Sequence, residues 1–119
     1  MPPDLPEALL ARRSEYQRIL AEALEKAAAA LSALEGVERV SLVGSYARGR
    51  ADLFTDLDLL VIMRTQDRFL DRLKKAYLAV QPSVAMDILV YTPEEFEEMK
   101  ESSPFVSRAL KEGRELFAA

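Results

Sequence analysis

Short apolar runs alternate with helix-patterned segments along this 119-residue chain, and that order predicts a mixed α/β (α+β) domain. The expected architecture is a small mixed β-sheet flanked by helices. Three runs carry the strand prediction: residues 37–43, the DLDLLVIM run at 56–63 and the VAMDILVY run at 84–91. Apolar residues at three- and four-residue spacing carry the helix prediction before, between and after them.

The first element reads as a long helix over residues 4–35. Asp4 is placed to cap it, with Pro6 in the first turn and Glu7 closing a capping box. Leu9, Tyr16, Ile19, Leu20, Ala23, Leu24, Ala27, Leu31 and Leu34 form its apolar face. A helix of that length spans about 45 Å, long for so small a domain. Ser14 with Gln17 offers a second capping box, which leaves open a break near Arg12 and Arg13. Gly36 reads as the C′ stop.

After the first strand, residues 44–50 read as a tight turn opening a short helix, and residues 51–55 as irregular. The run at 56–63 is apolar enough for a central strand. A helix follows over 67–80, with Phe69, Leu70, Leu73, Tyr77 and Val80 inward, broken at Gln81–Pro82. The third strand ends at Thr92-Pro93-Glu94-Glu95, where a cap, a first-position Pro and a third-position Glu start another helix. Its glutamates match the helix dipole and read as structural. Ser103-Pro104 restarts a last helix ending at Gly113, and residues 114–117 read as a short final strand. The domain organisation is one unit, 1–119: the long helix, a core at 37–91 and C-terminal helices at 93–119.

Composition narrows the chemistry. The chain has no Cys and no His, which removes disulfides, zinc-thiolate sites, cysteine nucleophiles, serine–histidine triads and histidine bases. Carboxylates, hydroxyls, Lys, Arg and Tyr remain, a set suited to hard cations with oxygen ligands, above all Mg²⁺. The net charge of −4 argues against direct nucleic-acid binding, which favours a basic face. No apolar stretch is long enough to span a membrane. The Met-Pro-Pro-Asp start lacks signal-peptide order, so a cytoplasmic location is the default expectation.

One constellation stands out. Gly44 and Ser45 close the first strand, and Asp56 and Asp58 open the second. Side chains alternate along a strand, so Asp56 and Asp58 point to one face. Two carboxylates so placed repel each other unless a cation lies between them. Gly44 allows close backbone approach, and the following N–H groups with the Ser45 hydroxyl can receive phosphate oxygens. Arg48 stands one helical turn beyond Ser45 and can reach the same phosphates. Asp87, a charge within the apolar third strand, is explained if it shares a metal with Asp56 and Asp58. Each piece alone has a plainer reading: a turn, a solvated strand entrance, a surface Arg, a core Asp paired with an Arg. Tyr46 reads as packing and Gly49 as a backbone requirement.

The segment GSYARGRADLFTDLDLLV resembles the signature of the DNA polymerase beta nucleotidyltransferase superfamily: Gly-Ser, about ten residues, Asp-x-Asp on a strand, then a third Asp on a later strand. Thr55 stands where many members have Ser. The short length and the Ala-Arg-Gly after Ser45-Tyr46 look most like the minimal, stand-alone nucleotidyltransferases of prokaryotes.

The resemblance implies the polymerase beta-type fold and a transfer reaction in which two Mg²⁺ ions, or Mn²⁺, organise attack on the α-phosphate of ATP. Asp56 and Asp58 would hold both ions, Asp87 the ion beside the attacking hydroxyl, and Gly44, Ser45 and Arg48 the phosphates. Stand-alone members are associated with a helical HEPN-type partner as antitoxins that transfer AMP to a Tyr of the toxin. Two other readings stay open: a non-catalytic, nucleotide-binding antitoxin, and a small-molecule, aminoglycoside-like nucleotidyltransferase. The sequence leaves homo-oligomerisation open.

Overall fold

The computed structural model describes residues 4–52 and 55–119, with side chains from residue 7 onward. Its elements follow the order α1 (Asp4–Ser32), β1 (Val37–Val43), α2 (Gly44–Ala47), β2 (Leu57–Met63), α3 (Phe69–Val80), β3 (Met86–Tyr91), α4 (Pro93–Ser102), α5 (Pro104–Glu112) and β4 (Arg114–Ala118).

Four strands form one mixed sheet in the order β3-β2-β1-β4. β1 runs antiparallel to β2 and β4, while β2 and β3 are parallel. β2 is therefore central, and all but one of its residues are buried. The parallel pair needs a crossover, which α3 supplies.

Alternation along the strands splits the core into two layers. On one face α1 contributes Leu20, Leu24, Ala27 and Leu31 against Val40, Leu42, Leu57, Leu59 and Val61. On the other, Phe96 of α4 and Val106 and Ala109 of α5 pack on Val43, Leu60 and Ile62.

α1 runs unbroken for 29 residues, so Ser14 and Gln17 start no second helix. The cap assigned to Asp4 concerns a side chain outside those described. Residues 7–15 are all exposed, and Leu9 is 54% exposed rather than inward. The helix overhangs the sheet there, and burial begins around Tyr16 and Leu20. α1 ends at Ser32, so Gly36 is not its C′ residue. Gly36 instead turns the chain into β1 at φ +83°, where a Cβ would meet the Arg64 carbonyl oxygen at 2.2 Å.

α3 also departs from expectation. Phe69 is 41% and Leu70 75% exposed, while Arg72 of the same first turn faces inward. Phe69 stacks on Tyr91 with ring centroids 6.4 Å apart. The buried position is taken by Arg72, whose Nη1 donates to Glu95 Oε1 at 2.7 Å and whose Nε donates to the Asp67 carbonyl at 2.9 Å. Glu95 also forms the expected capping box with Thr92, so one carboxylate caps α4 and ties it to α3. The expected restart at Ser103-Pro104 and the final strand are both present. None of the described helices is long and apolar enough to cross a membrane.

Candidate functional site

β1 ends at Val43, which pairs with Asp58 of β2. Asp58 in turn pairs with Asp87 of β3. The register thus sets Asp58 and Asp87 side by side on adjacent strands, and residues paired in register share a face. That face is the one covered by α4 and α5, since Asp58 alternates with Leu60 and Ile62. Asp56 lies just ahead of β2, two residues from Asp58, and is exposed.

Asp87 is exposed and sits near the start of an edge strand. Burial in the sheet interior therefore does not explain it; proximity to Asp58 is its distinguishing feature. The Asp58 carboxyl is pushed above the ordinary carboxylate range by burial first, then by the charges of Asp87 and Asp56, against a smaller opposing pull from Arg48.

Gly44 presses on the same carboxylate. Its φ is +78°, and a Cβ there would lie 2.1 Å from Asp58 Oδ2. Gly44 opens the four-residue α2, with Arg48 as its C-cap. Gly49, at φ +97°, serves the turn beyond it, and Tyr46 packs on the core as expected.

Two clefts adjoin at Asp58. A polar one of about 360 Å³ is lined by Gly44, Ser45, Arg48 and Asp58, with Arg108 and Glu112 facing them from α5. Glu112 accepts from both arginines, Arg48 Nη1 at 3.3 Å and Arg108 Nε at 3.4 Å. The second, about 460 Å³ and largely apolar, contains Asp58 and Asp87 beside Leu73, Tyr77 and Leu89. Phe105 borders both. The fold thus brings together Gly44, Ser45, Arg48, Asp58 and Asp87, with Asp56 at the rim.

Sequence reasoning missed the contribution of α5. Phe105, Arg108 and Glu112 follow the third Asp by about twenty residues and carry no motif; the Arg108–Glu112 spacing of one helical turn was the available signal. It also missed the support behind the acids. Thr55 is 1% exposed, its Oγ1 accepts from the Asp52 N–H at 3.0 Å, and its carbonyl accepts from Tyr16 Oη at 3.2 Å.

The profile of the nucleotidyltransferase domain family matches residues 24–116. The chain belongs to that family. Its mixed sheet and flanking helices are the fold expected of it. Among solved structures, a crystal structure of a mutant form of the toxin–antitoxin MntA-HpeT is similar, with 16% identity and a TM-score of 0.48 over 86% of this chain and 72% of that one. A likeness at that level carries no argument about function. No curated protein matches the chain.

The donor set fits a hard divalent cation. Among the described residues no three acids converge into a closed metal cage. Mg²⁺ does not require one: it is held by one or two carboxylates, with water and substrate phosphates completing the octahedron. Asp58 and Asp87 supply such a pair; burial first, and then the charges of Asp87 and Asp56, raise the pKa of Asp58, and a cation there would offset both.

Proposed function

We propose that this protein transfers a nucleoside monophosphate, AMP from ATP, to a hydroxyl of a partner protein, a Tyr on a HEPN-type toxin, and so acts as its antitoxin. The in-register pairing of Asp58 with Asp87 beside Gly44 carries the nucleotidyl-transfer reading. A fold needing only to bind a partner has no use for a half-buried carboxylate set beside a second one, an arrangement in which burial and then the neighbouring charges raise its pKa. The AMP donor, the Tyr acceptor and the partner class extend the resemblance to short stand-alone members.

In this reading Asp56 and Asp58 would hold both Mg²⁺ ions, and Asp87 the one beside the acceptor. Bound there, Mg²⁺ would neutralise phosphate charge and make the α-phosphorus more electrophilic. The chain's own groups do the rest. Arg48 and Ser45, facing the polar cleft, orient the β- and γ-phosphates, with Gly44 leaving room for the Asp58 carboxylate beside them. Asp87, on the apolar cleft, orients the attacking hydroxyl and takes up its proton; the hydroxyl oxygen bonds to the α-phosphorus as the bond to the bridging oxygen breaks, and pyrophosphate leaves. The apolar walls at Leu73 and Leu89 limit water around that hydroxyl, which favours transfer over hydrolysis.

The test is label transfer. Incubated with Mg²⁺ and α-labelled ATP in a lysate of the source organism, the protein should label one protein band. The band should vanish with Asp56→Asn/Asp58→Asn and with γ-labelled ATP. Labelling from the γ-position would make it a kinase and end the proposal.

A further inference from the structure

Two tyrosines from the helical layer behind the sheet reach the backbone beside the acids, one at each strand start. Tyr77 of α3 accepts from the Ile88 N–H at 2.9 Å and donates to the Met86 carbonyl at 3.3 Å. These two groups flank Asp87. β3 is an edge strand bonded to β2 on one side only. In a strand, backbone groups of alternate residues point to opposite edges. The Tyr77 hydroxyl therefore satisfies the outer edge on both sides of Asp87, as a further strand would. Tyr16 of α1 donates to the Thr55 carbonyl at 3.2 Å, one residue ahead of Asp56. Gln17 adds a bond from its amide to the Ala51 carbonyl at 3.3 Å. Both helix residues, Tyr16 and Gln17, precede the segment that the family profile matches.

Edge strands and strand entrances are where a sheet frays, and the acids sit at both. Metal affinity depends on how closely ligand spacing is held, and partners one shell out from the ligands set it. We infer that Tyr16 and Tyr77 are positioning residues: their hydroxyls fix the backbones bearing Asp56 and Asp87 and thereby the spacing of the carboxylates about Asp58. The inference rests on the metal-site reading above. Both hydroxyls are engaged by main-chain groups. Both act through main-chain bonds, so Phe, which keeps the ring and its packing, removes the whole effect.

The experiment is a Mn²⁺ titration of the full chain, free of nucleotide, followed by paramagnetic broadening of backbone amides, with amide hydrogen exchange measured alongside. Wild type is compared with Tyr77→Phe and Tyr16→Phe. Ile62→Val, at the far end of β2, reports what general loosening of the sheet does. Tyr77→Phe should weaken Mn²⁺ binding about tenfold, the low end for partners outside the ligand shell, and speed exchange at Ile88. Tyr16→Phe should weaken it several-fold, while Ile62→Val matches wild type. Saturable broadening at Asp58 and Asp87 that is equal in wild type and both Phe variants overturns the inference and leaves the metal site standing. Weakening by Ile62→Val equal to that by the Phe variants overturns it too. Absence of broadening in wild type overturns the metal site and this inference together.

Discussion

The Asp58 carboxylate occupies the space where residue 44 would carry a side chain: a Cβ on Gly44 would stand 2.1 Å from Asp58 Oδ2. Gly44 also has φ +78°, a conformation that L side chains rarely adopt. Gly44→Ala should therefore cost stability through backbone strain alone, about 1–3 kcal/mol, and displace the carboxylate as well. Denaturant melts of Gly44→Ala, Asp58→Ala and the double variant separate the two effects. The double variant should be less damaged than the sum, since removing the carboxylate removes the collision. Additive losses would mean that the contact is relieved elsewhere.

Asp58 sets a second expectation, with a definite sign. A carboxyl whose pKa is raised by folding holds its proton more tightly in the folded chain than in the unfolded one. Stability from this group is greatest below the ordinary Asp range and falls as pH rises through the raised value. In chelator at neutral pH, Asp58→Asn should melt above wild type. With Mg²⁺ and ATP present the order should reverse, because only wild type gains from the ligand. Thermal melts with and without chelator check both halves.

Glu95 has the opposite sign. Its pKa is held down first by hydrogen bonding from Arg72, against the opposing cost of burial, and then by the Thr92 backbone. Its stabilisation is present above the ordinary Glu range and is lost as pH falls through the lowered value. Glu95→Gln should flatten that acid limb and cost about 1–2 kcal/mol at neutral pH, less than a fully buried pair would because Glu95 is 42% exposed. Urea melts between acidic and neutral pH measure it.

Arg48 and Arg108 face the polar cleft and converge on Glu112. If the triphosphate lies there, Arg48→Gln should weaken ATP binding roughly tenfold and leave AMP binding nearly unchanged, because a charge-assisted bond to the β- or γ-phosphate is lost. The salt dependence of ATP binding should flatten with it. Equal weakening for AMP and ATP would place Arg48 elsewhere on the nucleotide.

Much of this molecule was legible in its sequence because local chemistry decided it. Thr92, Pro93 and Glu95 start α4 as their spacing requires, and the apolar run from Asp56 to Met63 made β2 the central strand. The Gly-Ser and Asp-x-Asp pair marked the candidate site because the end of β1 and the start of β2 lie side by side in the sheet. What escaped depended on where elements end relative to the sheet. Leu9 has the right period for burial yet lies on a stretch of α1 that is exposed throughout, and Phe69 and Leu70 yield the inward side of their turn to Arg72. Arg72 is buried because Glu95, twenty-three residues later, meets it. The placement of α5 over Asp58 and the reach of Tyr16 and Tyr77 to the strand starts are likewise tertiary facts with no local signature.

The central claim is that Asp58 and Asp87 form a metal–nucleotide site, and calorimetric titration of ATP into the protein tests it most directly. Saturable binding is expected with Mg²⁺, with little or none in chelator, and both Asp58→Asn and Asp87→Asn should abolish the Mg²⁺-dependent part while the variants remain folded. Binding of equal strength in chelator, or by folded Asp87→Asn, would contradict the account.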